Sequence, residues 1–403
     1  MNKSPLLAKT RSSAISVLSS LACILIGLVL GFIFLIVLNA KNNWDQGFSN
    51  IIKGAWEDGL LPIIKGGFKA FGNEKLVKNG TYLQPMAQVI IEAAPLIMTG
   101  LSVAFAFKTG LFNIGAAGQY VLGAFGGLYC ALILNWPWWL CLIAATLCGA
   151  LWGAVPGILK AFLNVNEVIT CIMMNWIGLY GANTLMYRNG KSPMYFVKQA
   201  KTYTVKAKSP RSLIPHKLFG WDMAKTFKFE SMTIAILLAI IVAVVIFIIL
   251  NKTTFGYELK ACGHNKFAAK YAGINEKRNI VFSMVIAGAL AGFGAGLYYL
   301  SGAEQWNPQE STALPAVGFN GISVALLASL HPIGCIFSGV FMSHLSVGGN
   351  AMKQSMFPKE IADAVSGIIV YLCAFSMLFK NFFARIIDAI TGANKKEKED
   401  ANR

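Results

Sequence analysis

Amide and carboxylate side chains set inside apolar stretches are the residues of this chain best placed to do chemistry. Between Lys108 and Tyr120, Asn113 and Gln119 stand among Gly110, Gly115 and Gly118. Between Asn164 and Trp176 lie Asn166, Glu167, Thr170 and Asn175, and Asn320 follows Pro315 and Gly318. Glu92 is an acid in a further apolar run. Each is costly in hydrocarbon unless it faces a cavity or a partner. Their chemistry is reversible hydrogen bonding, either to a polar cargo along a path or between helices that they fix in place. Glycines beside them weaken helix continuity, and broken helices are tolerated where backbone lines a cavity. Asn113, Gln119, Asn166, Glu167 and Asn320 are therefore the candidates to line or gate a polar path.

Bond-making chemistry finds no support. No GxSxG, HExxH or paired-carboxylate pattern occurs. Gly190-Lys191-Ser192 resembles the end of a phosphate-binding loop, but Leu185 stands where that loop needs its first glycine. His216, His264, His331 and His344 are dispersed, and no cysteine pair has zinc spacing. Seven of the eight cysteines sit in apolar segments, where they behave as small hydrophobes, and Cys262 lies alone in a polar stretch. The chain is expected to be no enzyme, to bind no metal and to carry no cofactor of its own.

The elements that must position the candidates are membrane helices. Hydrophobic residues make up 56% of the 403 and charged residues 13%. A water-soluble domain carries about 25% charged residues. The run 234–250 holds no polar side chain at all. Such runs suit spanning helices and not the alternating strands of a barrel. The expected fold is an all-α polytopic membrane protein, a single domain over 1–403. About ten transmembrane helices, some broken by glycine, surround a central path. They fall near 15–39, 84–107, 111–134, 138–160, 166–187, 231–250, 280–302, 313–330, 332–349 and 361–383. The first reads as a retained helix and not a cleaved signal. Hydrophilic pieces remain at 40–83, 188–230, 251–279 and 384–403. The row Gly288, Gly292, Gly296 predicts close helix contacts. Gly100-Leu-Ser-Val-Ala104 and Gly321-Ile-Ser-Val-Ala325 echo each other as a short internal repeat.

Charge does not orient this array. With the termini inside, the two sides carry 17 and 18 basic residues, so the positive-inside rule is tied. Lys3, Lys9 and Arg11 ahead of the first helix lean toward an inner N-terminus. The piece 188–230 holds ten basics against Asp222 and Glu230. It is read as a solvated loop, or as a surface for an acidic partner or an anionic membrane face. The net charge of +17 is spread over loops and does not point to nucleic acid.

The polar stretch Thr253–Ile274 stands out between two apolar runs. Asn265 suits an N-cap and Gly273 the residue just past a helix end, bracketing about two turns. Within them Phe267 and Tyr271 share a face, as do Ala268 and Ala272, and Lys266 and Lys270. So short a helix is marginal alone. It reads as a knob that plugs into a soluble partner, or as an amphipathic turn on the lipid surface.

Four stretches together resemble the membrane permeases of bacterial ABC importers, in the group of branched-chain amino acid, ribose and nucleoside permeases. They are Thr109–Gln119, Val165–Asn175, Thr254–Asn265 with Ala268–Ile274, and Gly318–Leu327, spread over about 85–380. The resemblance is nearest the nucleoside branch. It departs at Ala117, where the family often has Glu, at Lys260, where Arg is common, and at His264, where an acid is common. The resemblance implies that 251–279 is the cytoplasmic coupling segment, docking on a separate ATPase subunit that hydrolyses the ATP. Gly263, Asn265, Phe267, Ala268, Ala269 and Gly273 are the implied docking residues. It also implies a second permease subunit, identical or sister, an extracytoplasmic substrate-binding lipoprotein, and a bacterial inner membrane with both termini and the tail 384–403 cytoplasmic. The pieces 40–83 and 188–230 are then extracytoplasmic. The implied cargo is a purine or other nucleoside, with branched-chain amino acids or a sugar as alternatives. Two other readings stay open: an ion-coupled secondary transporter using Glu92 and Glu167 as a relay, and a scaffold that moves nothing.

Overall fold

A computed structural model describes residues 5–42, 48–66, 83–218, 220–308 and 313–350, with isolated positions between 352 and 372. The expected tail 384–403, most of the expected span 361–383 and much of 40–83 lie outside the described residues.

The chain falls into two compact units, 1–65 with 348–403, and 66–347. In the first, α1 (Pro5–Asn42) is followed by α2 (Phe48–Gly54), a π-helical turn Ala55–Leu60 and α3 (Leu61–Lys65). Leu35, Ala55, Ile63, Phe357 and Val365 are buried there. Phe32 meets Trp56 edge to face, with ring centroids 5.6 Å apart.

The second unit holds the candidate residues. Its long helices are α4 (Gln84–Lys108), α5 (Ala116–Leu132), α6 (Trp138–Leu163) and α7 (Glu167–Tyr187). After α7 come two short hairpins, Tyr195–Phe196 with Lys201–Thr202 and Lys217–Leu218 with Trp221–Asp222, and the single turns α8 (Val205–Lys208) and α9 (Met223–Phe227). Then follow α10 (Ala235–Lys252), α11 (Thr254–His264), α12 (Lys266–Tyr271), α13 (Glu276–Tyr299), α14 (Ala316–Leu327) and α15 (Gly334–Asn350). Asn and Thr side chains start four of these helices. Asn166 accepts from the Val168 N–H, Thr253 from Gly256, Asn265 from Phe267 and Ala268, and Asn275 from Arg278.

Among the described residues, six helices are long and apolar enough to cross a membrane: α1 over Ala22–Ala40, α4, α6, α7, α10 and α13. The helices α5 and α14 are apolar but shorter. The chain is a mostly helical, multi-pass membrane protein; the described residues hold six such helices and two shorter apolar ones and do not test the expected count of ten. The expected spans 111–134 and 313–330 shrink to 116–132 and 316–327, because the chain breaks at Gly110–Gly115 and at Pro315.

The glycine row packs as its spacing predicts. A methyl group built on Gly149 of α6 would stand 2.4 Å from the Gly288 carbonyl oxygen of α13, and one on Gly292 2.4 Å from that of Ala145. The backbones of α6 and α13 thus touch, which is how helices gain dispersion contact in lipid. The echoing segments pack on each other: a methyl on Gly321 of α14 would stand 2.7 Å from the Thr99 carbonyl carbon of α4. Thr99 Oγ1 also donates to the Val317 carbonyl at 3.1 Å.

Candidate functional site

The break between α4 and α5 is the centre of the polar constellation. After Lys108 the chain turns at Gly110, whose φ of +79° is left-handed and suits glycine. It runs non-helically to Gly115, which has no side chain to cap α5. Asn175, on α7, supplies that cap from another helix. Its Oδ1 accepts from the Gly118 N–H at 2.8 Å, and its Nδ2 donates to the Ile114 carbonyl at 3.0 Å. A methyl on Gly118 would lie 2.7 Å from the Asn175 Cα, so the two helices close only over glycine.

Asn113 and Gln119 form a reciprocal amide pair. Asn113 Nδ2 donates to Gln119 Oε1 at 2.8 Å, and Gln119 Nε2 donates back to Asn113 Oδ1 at 3.2 Å. A second Asn113 proton goes to Ser102 Oγ at 3.1 Å. Both amides are buried, at 0% and 1% exposure, so the exchange satisfies groups that could not otherwise be desolvated cheaply. Ser102 went unsingled in the sequence. Its signal is a hydroxyl within an apolar run on α4.

The other path candidates lie elsewhere. Asn166 is exposed and caps α7. Glu167 pairs with Lys160 at 2.8 Å across the turn at Asn164, joining the end of α6 to the start of α7. Asn320 is half-buried on α14. Two residues before it, Gly318 abuts α5: a methyl there would lie 2.4 Å from the Ala117 Cα. Ala117 is fully buried in this contact, which leaves no room for the longer carboxylate at that position.

Within the polar stretch 251–279 the expected short helix forms as α12, and a further helix, α11, precedes it. A turn at Thr253 starts α11, and Asn265 then starts α12, which ends at Tyr271 with Gly273 following at φ +82°. Phe267 is 66% exposed and Tyr271 95%, while Ala269 is buried beneath them. Ala268, Asn265 and Gly273 are exposed. Gly263, at the end of α11, lies on the broken segment. A methyl on it would stand 2.5 Å from the Thr109 carbonyl carbon. An open cleft of about 660 Å³ lies beside this knob, and Thr109, Gly110, Glu167, Gly263, Asn265 and Phe267 line it. Glu167 thus lines the same cleft as Gly263, Asn265 and Phe267, apart from the Asn113–Gln119 pair. Asn279, also on the cleft, is buried; its Nδ2 donates to Cys262 Sγ at 3.5 Å and its Oδ1 has no partner among the described residues.

Known proteins resemble this chain in sequence. The family described as branched-chain amino acid transport system / permease component matches residues 86–374. The guanosine ABC transporter permease protein NupP of Bacillus subtilis is 35% identical over 72% of this chain and 81% of its own. The nucleoside ABC transporter permease protein NupB of Lactococcus lactis is 37% identical over 76% of this chain and 84% of its own. A glucose ABC transporter permease protein, TsgB13 of Haloferax volcanii, is 27% identical over 74% of this chain and 78% of its own. No solved structure matches significantly. The matched segment takes in the amide pair, α11, α12 and the glycine-packed core, and the chain belongs to the family of branched-chain amino acid transport system permease components, as a permease component of an ABC transporter.

Proposed function

We propose that this chain is the transmembrane subunit of an ATP-driven importer of nucleosides. The cargo rests on the relatives named for guanosine and nucleoside transport. The drive rests on one structural observation: an exposed aromatic knob on α12 whose root, Gly263, is seated on the backbone of the broken segment that carries Asn113. A separate ATPase subunit grips the knob through Asn265, Phe267, Ala268 and Gly273, while Gly263 and Ala269 anchor it. A second permease chain and an extracytoplasmic receptor complete the assembly. The knob, the termini and the tail 384–403 face the cytoplasm; 40–83 and 188–230 face outward.

In this mechanism, ATP binding draws two coupling knobs together and shifts each permease between two packings. The push on α12 reaches α11, then the Thr109–Gly110 backbone, then the Asn113–Gln119 pair. Asn113 and Gln119 trade their mutual hydrogen bonds for other partners as the path opens. Glu167 and Lys160 hold the α6–α7 turn beside the moving knob, Asn166 fixes the start of α7, and Asn320 faces the path from α14.

The test is a purified complex in proteoliposomes. Labelled guanosine or adenosine uptake should require ATP and the receptor, and should stop with vanadate. Uptake that survives vanadate but collapses with an uncoupler would hand the role to ion coupling. ATP-driven uptake of glucose or leucine in place of nucleosides would overturn the cargo.

A further inference from the structure

The open cleft beside the knob, about 660 Å³, is large enough for a small molecule, since such sites occupy about 300–1,000 Å³. Asn279, near the start of α13, lies on its buried side at 1% exposure. The Asn279 carbonyl accepts from Ser283 Oγ at 2.8 Å, and Nδ2 donates to Cys262 Sγ at 3.5 Å. Its Oδ1 has no partner among the described residues. Buried acceptors are rarely left so, and this one calls for a donor from elsewhere. Sulfur is a weak acceptor, so Nδ2 is loosely held. The carboxamide therefore presents an acceptor and a nearly free donor side by side.

The rim is aromatic and basic. Phe162, at the end of α6, is 62% exposed and lines the cleft together with Phe267. Lys277 Nζ stands 5.3 Å from the Phe162 ring centroid, and Lys266 Nζ 5.2 Å from that of Phe267. Neither lysine has a described carboxylate within ion-pair distance. Of the two acids on the cleft, Glu167 is paired with Lys160, which leaves Glu276 against Lys266 and Lys277.

We propose that this cleft is a binding site for a nucleoside monophosphate. The base sets an N–H and a neighbouring acceptor on the Asn279 carboxamide, the way asparagine reads adenine. Its face stacks on an exposed ring, Phe162 or Phe267. The phosphate meets the ammonium groups of Lys266 and Lys277. A free phosphate would use the lysines and leave Oδ1 unpaired; a bare nucleoside would do the reverse. An occupant lies against Thr109, Gly110 and Gly263, which also line the cleft, and holds that joint in the packing seen here. Uptake should therefore slow. A nucleoside becomes such a ligand by one phosphoryl transfer, the class of reaction that consumes the cargo. That the cleft meets nucleotides of the cytoplasm rests on the orientation given under Proposed function.

Labelled AMP should bind the purified full-length chain, free of its ATPase, in equilibrium dialysis. Cys262, on the cleft wall, locates it. Alkylation of Cys262 by N-ethylmaleimide, read by peptide mass, should slow about tenfold when AMP stands about tenfold above its Kd. Adenosine, ribose 5-phosphate and inorganic phosphate at that concentration should slow it about twofold or less. N279L should abolish binding and melt no lower than the parent, because it removes the unpaired acceptor. The surface pair K266A/K277A should abolish binding too. No binding of AMP overturns the site, as does equal protection by inorganic phosphate, which means an adventitious ion only. Binding kept in N279L also overturns it. In proteoliposomes, AMP on the ATPase side should slow uptake by the parent and not by N279L. Equal slowing of both puts the nucleotide on the ATPase, and the effect assigned to the cleft falls. Dialysis and alkylation need no transport. If they succeed and ATP-driven uptake fails, the function proposed above falls and the site stands. If uptake is ATP-driven and AMP does not bind, only the site falls.

Discussion

Gly110 and Gly263 meet backbone to backbone: a methyl group on Gly110 would stand 2.4 Å from the Gly263 Cα, and one on Gly263 2.7 Å from the Gly110 nitrogen. This contact joins the end of α11 to the segment that carries Asn113. Gly110→Ala should be the harsher change, since it adds about 1–2 kcal/mol of left-handed strain to the clash. Gly263→Ala meets the clash alone. We expect G263A to insert and bind its ATPase, yet lose uptake by about tenfold or more while ATP hydrolysis continues. A twofold or smaller loss of uptake in proteoliposomes, with the ATPase still regulated by receptor, would show that the joint carries no coupling.

The Asn113–Gln119 pair makes a second, separable prediction. Asn113→Leu strands the Gln119 amide in a buried site, which costs about 1–3 kcal/mol. Replacing both by Leu removes both orphans, so the double variant should melt closer to the parent than the single changes predict. Measured couplings between polar groups in membranes run lower than in water, about 0.6 kcal/mol on average and up to about 1.7. A thermal-melt double-mutant cycle gives the coupling. Uptake then separates the roles. If the amides serve the path, N113L/Q119L folds but transports poorly; if they only fix helices, it transports normally.

Much of this geometry was legible in the residues. Asn265 and Gly273 bracket α12 because an amide cap and a left-handed glycine have few other uses at that spacing. Gly288, Gly292 and Gly296 packed as their four-residue interval required. Asn113 and Gln119 stood out as amides among glycines, but their mutual pairing did not, because Asn113 lies in a non-helical turn and Gln119 in the first turn of α5. Asn175 as a cap for α5 was hidden too, since a cap given by another helix leaves no local pattern. The same holds for Gly110 and Gly263, 153 positions apart, whose contact depends on how α4 and α11 end.

Asn175 invites a graded test. Asn175→Asp keeps an acceptor for the Gly118 N–H and loses the donor to the Ile114 carbonyl; Asn175→Ala loses both. An unpaired buried group costs about 1–3 kcal/mol, so melting temperatures should fall from parent to variant. At neutral pH the aspartate adds a buried charge, and N175D should therefore recover towards the parent in acid, where the carboxyl is neutral. A melt that does not respond to pH would mean that the side chain reaches water.

The knob separates docking from folding. Tyr271 is 95% exposed and Phe267 66%, and neither is needed to hold α12, whose cap is Asn265 and whose buried contact is Ala269. Tyr271→Ala and Ala268→Glu should leave the melting temperature within about 1 °C of the parent, as surface changes away from caps and cores do. They should still abolish copurification of the ATPase, because aromatic anchors centred in an interface carry about 2 kcal/mol or more each. Ala269→Glu is the contrasting variant. It places a charge beneath the helix, and it should lower the melting temperature and ATPase binding together. If Y271A and A268E retain the ATPase at parental yield, the aromatic face is not the grip. The exposed pair would then lie on the lipid surface, and their removal would show instead as a change in fluorescence quenching by brominated lipids.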